Sequence, residues 1–388
     1  MVEHPHASVP FWRDVRVLTV ISQIVFVIIL ALAAGFFYTN LSTAMRQRGL
    51  VAGFEFLNRE SGFEIGETMI DYKPSDTYGR AYMVGVLNTL LVSVTGIVLA
   101  TMLGILTGVA RLSSNWLIAK IAAVYIEIIR NTPLLVQLVF IYFGVFVKLP
   151  PVRESINVGD VVFANQRGVF MPRPVPSETF PSWLLFIFIG LIVAIISIRV
   201  LTVKTRRAGL PYVVALVIFA LAGVLGWLIS STAPLTFDFP VPGRFNFSGG
   251  LALSPEFSAL LTGLVIYTAA FIAEVVRGGI QAVRKGQIEA AHALGLGEMQ
   301  ILRLITFPQA MRVIVPPLTS QYLNLAKNSS LAIAIGFPDL FNVGATIANQ
   351  TGAPVPVIML IMLTYLAMSL FTSLLMNIYN RSVQILER

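Results

Sequence analysis

Cysteine is absent from this chain of 388 residues, which excludes disulfides, thiol chemistry and cysteine-ligated metals. Histidine is scarce: of three, His4 and His6 sit in the N-terminal tail, where a disordered tail accounts for them better than a metal pair. Charge is scarce as well. Asp, Glu, Lys and Arg together make up 12%, against about a quarter in an ordinary soluble domain. The sequence holds no GxxxxGK[ST] phosphate loop, no serine-nucleophile elbow and no HExxH, so ATP hydrolysis by the chain itself has no support. No paired carboxylates fall within the apolar runs, which leaves an intramembrane enzyme unsupported. No internal repeat or low-complexity tract is present.

What is there is apolar, 56% of all residues. Several runs are long enough to cross a bilayer, which takes roughly 20 residues each. Eight spans are expected, near 17–38, 83–108, 119–147, 182–203, 209–231, 257–280, 312–348 and 354–378. The fold class is an all-α polytopic membrane protein of about eight transmembrane helices. Arg13 and Arg16 precede the first run, which is too long for a signal peptide and lacks a cleavage site, so it reads as a retained span. Eight spans place both termini on one side. The short 199–207 loop, with Arg199, Lys204, Arg206 and Arg207, marks that side as cytoplasmic. The net charge of +8 then reflects inner loops facing anionic lipid, not nucleic acid. Three outer segments, 39–80, 149–181 and 232–256, read as loops, the last two rich in proline; they serve either as binding surface or as connectors.

Four polar segments interrupt the apolar background. The first is Glu289-Ala290-Ala291, then three residues, Gly295, nine residues, Ile305, two residues and Pro308. Residues 287–294 favour helix. Gly295 and Gly297 can turn the chain through backbone angles closed to other residues. A second short helix near 298–306 is expected to end at Pro308. Two short helices about a glycine turn make a knob below the membrane, although spacing alone also fits an ordinary hairpin loop.

The second is Glu127-Ile-Ile-Arg130-Asn-Thr132-Pro133-Leu-Leu-Val-Gln137. Glu127 and Arg130 share a helix face and can pair. Pro133 predicts a kink. Arg130, Thr132 and Gln137 line an inner mouth, or Arg130 merely snorkels to the interface. The third, around Glu274-Val-Val-Arg277-Gly278-Gly279, repeats the Glu-x-x-Arg spacing at the inner end of a span. It offers either a polar lining through Glu274 or a simple capping ion pair. The fourth is Lys327-Asn328-Ser329-Ser330, four polar residues inside a span. At that depth they suggest a broken helix lining a cavity. Ser329 or Ser330 is expected to cap a second half-helix, 331–336, whose N-terminus together with Lys327 suits a carboxylate.

Taken together, these four motifs, in this order over about 83–382, resemble the permease subunits of ATP-binding cassette (ABC) importers for polar amino acids. The resemblance implies a type I importer core made of spans 2, 3, 6, 7 and 8. Residues 1–82 then form an added N-terminal tail, helix and periplasmic loop, and 149–256 an insertion carrying two helices within the 83–382 transmembrane domain. Phe307 departs from the Leu usual in the family loop. The long form resembles the larger permease of general L-amino acid importers, or of the glutamate/glutamine/aspartate/asparagine type.

The resemblance further implies the 289–308 loop, including Ala290, Ala291 and Gly297, as the contact with a separate ATPase. That subunit would hold ATP and Mg, and this chain would bind no cofactor of its own. A homologous second permease or a second copy, a periplasmic amino-acid-binding protein, membrane lipid and an L-amino acid complete the expected partners. The expected location is the bacterial inner membrane. An ion-coupled secondary transporter without an ATPase is the alternative; it would require buried acids and inverted repeats, of which Glu127 and Glu274 are the sole hint.

Overall fold

The computed structural model describes residues 15–47, 53–204, 210–229, 232–243 and 246–383. His4, His6, Arg13, Arg206 and Arg207 lie outside the described residues. Helices dominate, in the order α1 (Val15–Gln47), α2 (Tyr78–Ala110), α3 (Trp116–Asn131), α4 (Leu134–Val139), α5 (Phe180–Lys204), α6 (Leu210–Ile229) and α7 (Pro255–Gln281). The short α8 (Lys285–Ala293) and α9 (Glu298–Ile301) follow, then α10 (Phe307–Asn328), α11 (Leu340–Thr351) and α12 (Pro354–Val383). Among the described residues seven helices are long and apolar enough to cross a bilayer, and up to eight if the bent α3–α4 pair counts as one span. The chain is a multi-pass α-helical membrane protein, as its composition requires.

Two compact units divide the chain. One takes in residues up to Val98 together with those from Ile272 onward; the other is Leu99–Phe271. In the first unit a core gathers Phe56, Tyr78 and Ala81 with Leu340, Val343 and Ile347 of α11 and Val357 and Ile361 of α12. The segment before α2, residues 53–77, is no open loop. Phe56 is buried in that core. Ser61 bonds the Tyr72 hydroxyl at 2.7 Å, and Tyr72 donates to the Phe63 carbonyl at 2.8 Å. Burial raises the pKa of the Tyr72 phenol, so the group stays a neutral donor. The segment is therefore a strap packed against α2, α11 and α12.

In the second unit Asn115 starts α3 by accepting from the amides of Leu117 (3.0 Å) and Ile118 (3.3 Å). Tyr125 donates to the Ile266 carbonyl of α7 at 2.6 Å, and Tyr142 to Glu256 at 2.6 Å. The helices α5 and α6 form an antiparallel hairpin, and the Trp183 indole donates to the Gly223 carbonyl at 3.0 Å.

The proline-rich segments 149–181 and 232–256 correct the loop reading. Strands β1 (Ile156–Val158), β2 (Val162–Asn165), β3 (Gly168–Met171) and β8 (Leu251–Leu253) make an antiparallel sheet in that order. Strands β4 (Arg173–Pro176) and β5 (Leu235–Asp238) pair, as do β6 (Val241–Pro242) and β7 (Phe247–Ser248). Pro174 and Pro176 alternate along β4, so both missing amides fall on one edge, and a strand with a single neighbour tolerates that. Phe247 stacks on Phe170 and packs on Phe163, each at 4.8 Å between ring centroids, and closes a small aromatic core.

Candidate functional site

The loop between α7 and α10 folds as the expected knob. Ala291 is buried while Glu289 and Ala290 stay exposed. The helix α8 ends in a Schellman turn: Leu296 donates to the Ala291 carbonyl (3.2 Å) and Gly295 to that of His292 (2.9 Å). This turn needs Gly295 at φ +76°, a left-handed angle that costs side-chain-bearing residues about 1–2 kcal/mol. Gly297 is extended instead. It opens α9 with its amide donating to the Gln300 side chain at 2.9 Å.

Pro308 corrects the expectation. It does not end the second helix; it stands in the first turn of α10, where its missing N–H costs nothing. The chain continues from α9 through a π-helical turn, Leu302–Thr306, that carries Ile305. The knob also presents apolar side chains that the motif spacing does not single out. Leu294 is 82% and Met299 74% exposed. Two such residues beside a glycine turn were the available signal.

The 105° bend between α3 and α4 falls at Pro133. It is far sharper than a kink. Gln137 holds it: the amide donates to the carbonyls of Ile129 and Thr132, both at 2.9 Å. Thr132 spends its hydroxyl on the Ile128 carbonyl at 2.8 Å. Arg130 corrects the pairing expected of it. Among the described residues it forms no bridge with Glu127 and lies instead over the Phe271 ring, 5.1 Å from its centroid. These three residues belong to the second unit.

In the first unit Glu274 and Arg277 do pair, with Arg277 Nε 3.0 Å from the carboxylate. The Lys327–Ser330 segment ends α10, and a 3-10 turn, Ser329–Ile335, follows it up to Gly336. The span therefore stops there, short of 348, and α11 is a separate helix. The serines do not cap a new α-helix: Ser329 and Ser330 donate back to the carbonyls of Ala326 (2.9 Å) and Lys327 (2.7 Å). The true cap is Asp339, whose carboxylate accepts from the Asn342 amide at 2.8 Å. Lys327 and Ser330 line an open groove of about 660 Å³ with Phe341, Met362 and Tyr365; Glu274 is not part of its lining. Asn328 is half-buried beside it. No carboxylate is in ion-pair range of Lys327 among the described residues.

A knob between spans, a sharply stapled bend and a broken helix with a free lysine fit a transport subunit. The family model for the binding-protein-dependent transport system inner membrane component matches residues 100–387. The chain belongs to that family. Membership makes it a membrane permease subunit and no enzyme, served by a binding protein and a separate ATPase. It supports the ATP-driven reading over the ion-coupled alternative.

Its relatives agree. The general L-amino acid transport system permease protein AapQ of Rhizobium johnstonii is 44% identical over 97% of this chain and 94% of that one. YhdX of Escherichia coli, named as an amino-acid ABC transporter permease protein, is 45% identical over 94% of each. The glutamate/glutamine/aspartate/asparagine permease BztB of Rhodobacter capsulatus is 37% identical, covering 97% of this chain and 96% of that one.

Proposed function

We propose that this permease imports L-amino acids across the bacterial inner membrane, with both termini cytoplasmic. The single observation that carries the substrate class is identity of 44% over 97% of the chain to a general L-amino acid permease. The lower identity of 37% to the glutamate/glutamine/aspartate/asparagine type favours the broader range.

The exposed knob of Glu289, Gly295, Ile305 and Pro308 is the contact with the ATPase, which binds ATP and Mg. Leu294 and Met299 supply apolar anchors and Glu289 the charge at that contact. When the ATPase pair closes, a rigid knob built directly onto α10 passes the motion to the span that carries Lys327. The free ammonium of Lys327 recognises the carboxylate that all amino acids share, in the groove it lines with Ser330. Asn328 and Ser329 hold the break in place. Within the second unit Arg130, Thr132 and Gln137 shape an inner mouth, and within the first Glu274 is a path residue held by Arg277. A second, homologous permease subunit or a second copy of this chain completes the pathway. The outer β-layer helps seat the binding protein, and the span ends rest in anionic lipid.

The test is co-purification of the ATPase with this chain, wild type against Glu289→Lys. Loss of the ATPase from the variant supports the contact; full binding and uptake in Glu289→Lys removes the knob from the coupling path.

A further inference from the structure

One face of α2 carries Gly85, Asn88 and Thr89, three and four residues apart, and it receives the turn that follows the helix break. Asn88 is only 2% exposed. Its amide donates to two carbonyls, Glu67 in the strap and Pro338 in the turn, each at 2.9 Å. Both partners are acceptors, so both amide protons are used. Thr89 accepts from the Leu340 amide at 2.9 Å. At Gly85 any side chain would meet the Asp339 carbonyl at 3.1 Å, so the turn sits directly on the helix backbone.

The connection continues inward. Asp339, fully buried, lies 3.4 Å from the Tyr365 hydroxyl. Tyr365 lines the same groove as Lys327 and Ser330. At its far end the strap is fixed by Phe56 in the core of α11 and α12. A series of polar contacts thus runs from the strap, through Asn88 and the 336–340 turn, to Tyr365, which shares a groove with Lys327 and Ser330 at the helix break.

We infer that Asn88 is a positioning residue that makes the outer strap and the 336–340 turn one moving body, so that docking of the binding protein against the strap reaches the helix break. The inference rests on the reading of that break as part of the substrate path. Removing the amide donors should leave the knob and its ATPase untouched while the outer signal is lost.

The chain has no native cysteine, so spin labels can be placed cleanly at Gly66→Cys, where an added side chain meets nothing, and at the exposed Ala334→Cys. In the assembled transporter, the Gly66–Ala334 distance should be narrow and equal in nucleotide-free and ATP-trapped states. A change of about 5 Å, one helical turn, would overturn the inference. This measurement needs neither uptake nor a variant at Asn88. Adding Asn88→Leu should broaden that distance and cut binding-protein-stimulated ATP hydrolysis by about tenfold, with basal hydrolysis unchanged. Asn88→Gln, which keeps both donors, should recover part of it. Stimulation in Asn88→Leu equal to wild type would overturn the inference as well. Failure of the parent complex to take up amino acids would instead sink the functional reading, since the label distance is scored separately.

Discussion

Gln137 donates its side-chain amide to the Ile129 carbonyl at 2.9 Å, across the chain break that Pro133 makes in a membrane span. Proline removes one backbone donor, and the 105° bend leaves helix-end carbonyls without partners. Gln137 satisfies two of them with one group. Replacement by Leu should strand the Thr132 carbonyl, at about 1–3 kcal/mol, and leave that of Ile129 only the long 3.4 Å bond from the Thr132 amide. The expected result is a clear fall in the thermal midpoint of the purified complex; an unchanged midpoint would show that the bend holds itself.

The knob depends on backbone geometry at a single position. Gly295→Ala forces a side chain into a left-handed turn at a cost of about 1 kcal/mol or more. Gly286→Ala, inside α8 with open space around it, should be neutral or slightly stabilising because alanine favours helix. ATPase retained on affinity-purified permease should fall for the first variant only. Equal retention would show that the turn is not needed for the contact.

Leu294 projects from that turn with nothing of its own unit covering it. Leu294→Asp should leave expression and thermal stability as in wild type yet weaken ATPase binding by about tenfold or more, the scale of an interface anchor. Binding equal to wild type, measured by titration of the ATPase, would move the contact elsewhere.

Lys327→Met keeps the length of the side chain and removes the charge. A charge-assisted hydrogen bond is worth about 1.5–3 kcal/mol, so uptake of every transported amino acid should fall roughly tenfold or more, with ATPase binding retained. A loss confined to acidic substrates would assign Lys327 to side-chain recognition instead of the shared carboxylate.

The spans were legible in the sequence because long apolar runs are stable in few settings besides a bilayer, and α1, α5 and α6 needed nothing more. The Gly295 turn was legible because a glycine directly after a helix-forming run suits a left-handed turn, although Gly297, of which the same was expected, is extended. The β-layer was not: proline-rich segments read as loops unless the alternation of Pro174 and Pro176 along an unpaired edge is noticed. Pro308 was misplaced because a proline just beyond a short helix can end it or start the next one, and only the π-helical turn before it decides. Ser329 and Ser330 looked like caps, yet hydroxyls within a helix bond back to the preceding turn as readily. Asp339 and Asn88 were missed because their partners lie far along the chain, at Tyr365, Glu67 and Pro338.

The central claim is import driven by ATP and delivered by a binding protein. Its most direct test is uptake in proteoliposomes holding this chain with its partner permease and ATPase, binding protein outside, ATP inside, and a panel of labelled L-amino acids. The expected result is uptake of many amino acids that vanishes without ATP or without binding protein. Uptake without ATP that follows an ion gradient would contradict it.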